Sequence, residues 1–244
     1  GGTLDPGGPQ VMRQGAAPLA LAGLPLAFLL VVLVAPAVRL VAEGWPTDGH
    51  SLQALWAPWQ DDYLRWRMVW SFLQALLTCA AALVLGLPLA WVLARLEFRG
   101  RSLVLRALML PFVVPTLVAA LGVLALMGPH GVLVQLGGPD LQGTAWLLLY
   151  GNLFFNLCVV VRAGTDALEQ VSASRLAAAR TLGASPWRAF WRVEWPAIAP
   201  WLMSALCLVF LYCFAGFGLA LVLGGQRYAT VEVEIYTLVA HELQ

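Results

Sequence analysis

Residues 68–94, MVWSFLQALLTCAAALVLGLPLAWVLA, carry no charged side chain. Nothing constrains this chain more. A run this long and this apolar either fills the centre of a large soluble core or crosses a bilayer. The hydrocarbon layer is about 30 Å thick and a helix rises about 1.5 Å per residue, so about 20 apolar residues span it. Composition decides between the two. The chain has 244 residues, of which 61% are hydrophobic and 11% charged. A soluble domain carries about 25% charged residues to cover its surface. The excess apolar surface must therefore face lipid, and the chain reads as an all-α polytopic membrane protein.

Five stretches are apolar enough to span: about 16–38, 68–94, 107–127, 144–161 and 197–223. Residues 1–15 are rich in Gly and Pro and read as a disordered tail; residues 16–244 form one membrane domain. All fourteen basic residues are Arg, and they set the orientation. Arg13, Arg95, Arg99, Arg101, Arg106, Arg162, Arg175, Arg180, Arg188 and Arg192 fall in segments that must share one side. Only Arg39, Arg65, Arg67 and Arg227 fall on the other. By the positive-inside rule the N-terminus and the loop 162–196 are cytoplasmic. Residues 43–67, 128–143 and 224–244 are then external. Glu232, Glu234 and Glu242 make the last segment an improbable span, so a sixth span is expected to be missing.

Several function classes are disfavoured. A net charge of +1 gives no reason to expect nucleic acid. The expected spans hold no ionisable residue, which argues against a proton pump or ion-coupled carrier. Cys79, Cys158, Cys207 and Cys213 lie in apolar runs without metal-ligand spacing and read as small buried side chains, so no cofactor or metal is expected. His50, His130 and His241 have no nucleophile near them in sequence, no phosphate-binding GxxxxGK[ST] motif occurs, and no catalytic residue is expected. In LPFVVPTLVAALGVL, Pro111 and Pro115 each remove a helix bond and predict a kink or break.

The loop 162–196 carries the local signal. ASRLAAARTL favours a helix capped by Ser172. Gly183 suits a left-handed residue past a helix end. Ser185 then caps a second helix with Pro186 at its first position, ended by Pro196. Trp187, Phe190 and Trp191 form one stripe, and Arg188 and Arg192 another. Membrane-interface anchoring, packing against the chain's own helix ends and insertion into a separate protein all fit such a loop.

The loop also resembles the EAA loop of ABC transporter permease subunits, whose pattern runs Glu-Ala-Ala, three residues, Gly, nine residues, Ile-x-Leu-Pro. Ala178, Ala179, Gly183 and Pro196 match; Ala177 stands for the Glu, and Val193 and Trp195 for the Ile and Leu. DLQGTAWLLLYGNLFFNLCVVVRAGTDALE and CFAGFGLALVLGGQRYATVEVEIY are similar to the first half of the thiamine (or thiamine pyrophosphate) branch of that family. The resemblance implies a MetI-like permease half in a bacterial inner membrane. Its implied partners are cytoplasmic ABC ATPase subunits, a periplasmic substrate-binding protein, a second permease half and membrane lipid. ATP hydrolysis would lie on a separate subunit. Ala178, Ala179, Arg180, Gly183, Ala184, Ser185, Pro186 and Arg188 are the implied ATPase-docking residues. Iron(III) or other small-solute importers are the nearest alternatives, with a secondary carrier or a non-transport membrane scaffold as competing classes.

Overall fold

The computed structural model describes residues 16–43, 56 and 58–242. The expected tail and most of segment 43–67 lie outside the described residues. Among the described residues there are helices and connections but no strands. The chain forms two units, residues 1–60 and 61–244.

The first unit holds α1, Ala16–Glu43. Its window Pro25–Ala42 has mean hydropathy 2.3 and is long enough to span a membrane.

The second unit is built on three long helices: α2, Asp62–Arg95; α7, Ala145–Gln170; and α10, Trp195–Phe214. Asp61 starts α2, its carboxylate accepting from the N–H groups of Tyr63 and Leu64. Between α2 and α7 lie α3, Arg101–Ala107; α4, Leu110–Val113; α5, Thr116–Met127; and α6, Val132–Gln135. Ahead of α10 come α8, Ala173–Thr181, and α9, Pro186–Ala189. After it come α11, Phe217–Leu223, and α12, Val231–Glu242.

Small residues hold the long helices together. Ala75, Ala82 and Ala90 of α2 are buried against Val160, Val161 and Leu168 of α7 and Ile198, Leu202 and Val209 of α10. A Cβ on Gly86 would lie 3.0 Å from Val160 Cγ1, and one on Gly164 would lie 2.9 Å from Ala90 Cβ. Lipid tails are as apolar as Leu, so such helices associate through close packing rather than solvent exclusion. The outer faces remain apolar: Phe72, Leu76, Leu77, Val84 and Leu85 of α2 are all exposed. A second core joins Trp70, Ala120, Val123, Leu147, Leu148, Leu219, Ala220 and Leu223.

Among the described residues five helices are long and apolar enough to cross a membrane, the expected number. Their bounds shift in ways that have physical causes. The expected third span 107–127 is interrupted: Val114 is extended ahead of Pro115, as the residue before a proline prefers, and α5 starts afresh at Thr116. The expected fifth span ends early, at Phe214. Ala215 and Gly216 leave the helix, and a Cβ on Gly216 would lie 2.7 Å from Tyr212 O. Pro196 does not end a helix. Residues Phe190–Glu194 form a π-helical turn running straight into α10, and Trp195 N–H bonds Phe190 O. That wider turn takes in a proline which lacks an N–H and would crowd a tight one. Cys158 and Cys213 are buried as expected, but Cys207 is exposed.

Candidate functional site

The arginine-rich end of the bundle carries the loop. The helix α7 continues past the expected span end at residue 161, so Arg162 and Asp166 pair at 2.9 Å on its last turns. Glu169 pairs with Arg101 at the start of α3. Ser172 occupies the N-cap of α8 but its side chain makes no cap bond there, contrary to expectation.

The break after α8 is a fully bonded reversal. Gly183 has φ +78°, its N–H donates to Arg180 O at 3.0 Å, and Ala184 N–H donates to Ala179 O at 3.0 Å. This paired pattern closes a helix with a left-handed residue. Ser185 Oγ then accepts from Arg188 N–H at 3.3 Å, and Pro186 opens α9. Of the eight residues singled out for docking, Ala178, Arg180, Gly183, Ser185, Pro186 and Arg188 are exposed together at this turn, while Ala179 and Ala184 are half-buried.

The aromatic stripe has a different place. Trp187 and Phe190 stack with centroids 6.4 Å apart, and Trp191 meets both edge-on. Phe190 packs onto the main core. With Leu87, Trp91, Leu176 and Arg180, these rings line a groove of about 730 Å³. Beneath it Arg95, at the end of α2, pairs with Glu194 in the π turn, and Glu194 is 3% exposed. Neither residue was singled out for this role by the sequence.

A second polar feature lies within the bundle. Gln74 Nε2 donates to Cys213 O at 2.8 Å, and Gln74 Oε1 accepts from Asn152 Nδ2 at 2.7 Å. Asn156 Nδ2 donates to Asn152 O at 2.9 Å and to Cys213 Sγ at 3.4 Å. All three amides are buried. They are uncharged, so a scan for ionisable residues passes over them.

At the opposite end, Arg67 is also buried, one residue outside the expected second span. Its guanidinium donates to the carbonyls of Gln226 at 2.6 Å and Arg227 at 3.0 Å and to Tyr63 Oη at 2.7 Å. Glu234 lies 3.4 Å from it. The helices outrun the expected spans, and their charged groups lie in the overhangs: Arg67, Arg95, Arg162 and Asp166 stand just outside 68–94 and 144–161, and Glu194 adjoins α10. All stand towards the bundle ends, where such groups find partners.

Residues 82–238 match the model of the binding-protein-dependent transport system inner membrane component family. The chain belongs to that family. The match takes in the loop, Asn152 and Asn156 of α7, the break after α10 and most of α12, while Gln74 lies outside it. The chain is 35% identical over 224 residues to the thiamine transport system permease protein ThiP of Escherichia coli, covering 87% of this chain and 40% of that one. Identity to ThiP of Haemophilus influenzae is 32% over 204 residues, covering 80% and 37%. The chain therefore spans about two fifths of these relatives' length. The molybdenum transport system permease protein ModB of Azotobacter vinelandii is 35% identical over 169 residues, 66% of this chain and 75% of that one.

The fold matches a bacterial ABC transporter that imports the acidic polysaccharide alginate. The TM-score is 0.72 at 15% identity, over 94% of this chain and 86% of that one. The alginate transporter in complex with its pentasaccharide-bound periplasmic protein gives 0.76 at 17%, over 93% and 85%. The chain is accordingly a multi-pass inner-membrane component of a transport system, and the relatives named are transport permeases rather than enzymes.

Proposed function

We propose that this chain forms one half of the membrane pathway of an ATP-driven thiamine importer, with residues 172–194 as the element that receives the ATPase stroke. The observation that carries the reading is the loop itself. Ala178, Arg180, Gly183, Ser185, Pro186 and Arg188 are exposed on a turn closed by its own hydrogen bonds. The π-helical segment that follows this turn is fastened to α2 through Arg95 and Glu194. A rigid turn of this kind passes a push from a cytoplasmic subunit to the spans, which is what coupling two sites through one bistable element requires. Ala177 in place of the motif Glu leaves docking to shape and to the arginines.

Thiamine is supported by identities of 32–35% to ThiP from several bacteria. The molybdenum named for ModB is the second reading, favoured by a match of the same identity. The Arg distribution supports a cytoplasmic N-terminus, and it puts the Arg67 end outside, facing a periplasmic binding protein. A second permease half would complete the pathway.

Copurification tests the reading. The assembled permease is expressed with its ATPase, and the ATPase is expected to copurify. Gly183→Arg, or deletion of residues 177–189, is expected to abolish the complex while membrane insertion persists. An unchanged complex would remove the docking assignment. Uptake of labelled thiamine and of molybdenum by proteoliposomes decides the substrate.

A further inference from the structure

Two helices break side by side in this bundle. The α4–α5 break falls at Val114 and Pro115, and the α10–α11 break at Ala215 and Gly216. The restarted segments touch, since a Cβ on Gly218 would lie 3.3 Å from Thr116 Oγ1. Between the breaks lies a cavity of about 470 Å³. Interrupted helices in membranes persist where the loosened backbone faces protein or a cavity.

Its walls have a definite chemistry. Phe155, Tyr212 and Phe217 supply three rings, Thr116 a hydroxyl and Asn156 an amide, and no charged side chain lines it. Asn156 is 4% exposed, and both of its side-chain hydrogen bonds use Nδ2, towards Asn152 O and Cys213 Sγ. That leaves Oδ1 without a protein partner among the described residues, as an acceptor at the wall. The carboxyl end of α10 and the amino end of α5 meet the cavity with opposite partial charges, so the helix ends set no net preference. The side chains do. Ring faces attract cations, and an unpaired carbonyl oxygen accepts from an amino group. A small oxyanion would meet neither a cationic side chain nor a ring of donors, and would lose its water for nothing.

We infer that this cavity holds a cation built of an aromatic cationic ring and an amino-bearing ring during its passage, with Asn156 Oδ1 accepting from the amino group and Tyr212 and Phe217 against the cationic ring. The inference rests on the thiamine reading above and adds the place and the contacts. Gln74 bonds Cys213 O at the break and the Asn152 side-chain amide, and Asn156 bonds the Asn152 backbone carbonyl one turn away.

Labelled thiamine binding is measured by equilibrium dialysis on the assembled permease–ATPase complex in nanodiscs, without binding protein. Binding-protein-driven uptake is measured in parallel. The unmodified complex is expected to bind saturably. Asn156→Leu and Tyr212→Leu should each weaken binding about tenfold or more, while Tyr212→Phe keeps the ring and stays within about threefold. An analogue with a carbonyl in place of the ring amino group should bind the unmodified complex weakly, and Asn156→Leu should no longer distinguish the two. Should Asn156→Leu fail to assemble, the Tyr212→Leu and Tyr212→Phe pair decides. Uptake without saturable binding, or binding unchanged in the leucine variants, overturns the site and leaves the thiamine reading standing. Absence of thiamine uptake by the unmodified importer removes that reading and the site with it.

Discussion

Arg95 Nη2 donates to Glu194 Oε1 across the junction of α2 and the π-helical turn. Glu194's side chain is 4% exposed and Arg95's 22%. Arg95 Nε has no hydrogen-bond partner, so the arginine depends on this carboxylate. Truncating one member of a largely buried pair leaves the other charge desolvated, at a cost of about 3 kcal/mol. Glu194→Ala is therefore expected to lower the thermal unfolding midpoint in detergent by several degrees. Arg95→Met combined with Glu194→Leu should recover most of that loss, because it removes both charges. If coupling runs through this pair, the double variant regains stability but not substrate-stimulated ATPase activity.

Gly183 makes a separate prediction, because backbone conformation and space part company there. Its φ of +78° lies in the left-handed region, yet a Cβ would meet nothing within 4 Å. Gly183→Ala is expected to cost about 1 kcal/mol of local strain without any clash. Gly183→Asn should cost less, since Asn tolerates that region. Docking should fall in the order Gly, Asn, Ala, Arg when ATPase copurification is quantified. A loss that follows side-chain size alone, with Ala equal to Gly, would show that the turn's geometry is irrelevant.

What was legible in the sequence follows from how local each cause is. Gly183, Ser185 and Pro186 act through bonds within a few residues, and the turn they build is the expected one. The break at Pro115 was equally local. Pro196 was misread because the π turn that accommodates it depends on Phe190 seated in the core and Glu194 held by Arg95, a residue 99 positions away. The polar seam was invisible for a related reason. Gln74 is separated by 78 positions from Asn152, and nothing at either position marks the other as its partner. Arg67 looked like an ordinary loop arginine until the 226–229 segment folded over it.

Helix contact gives a reciprocal test. Gly164 and Ala90 meet so closely that a Cβ on Gly164 would sit 2.9 Å from the Ala90 methyl. Both elements are long helices that cannot shift without disturbing the core, and overpacking costs about 1–3 kcal/mol. Gly164→Ala is expected to destabilise the bundle. Ala90→Gly in the same chain moves the methyl to the other helix and should restore most of the loss, measured as detergent-unfolding midpoints. Independent, additive effects of the two changes would mean that the helices do not touch there.

Arg67 is the pin at the other end. Its guanidinium reaches the carbonyls of Gln226, Arg227 and Ala229, and Tyr63 Oη donates to Glu234 at 2.8 Å beside it. Trp70 Nε1 adds a bond to Tyr228 O at 2.8 Å. A planar five-donor fork is needed to satisfy several carbonyls at once, which an ammonium on a flexible stem does poorly. Arg67→Lys should therefore behave much like Arg67→Ala: the connection at 224–230 becomes a site of limited proteolysis, while the main three-helix core keeps its unfolding free energy to within about 1 kcal/mol, since local opening and global unfolding are separable. Protease resistance unchanged in Arg67→Lys would show that charge, not the fork, holds the segment. Loss of the whole fold in Arg67→Ala would show that the pin belongs to the core itself.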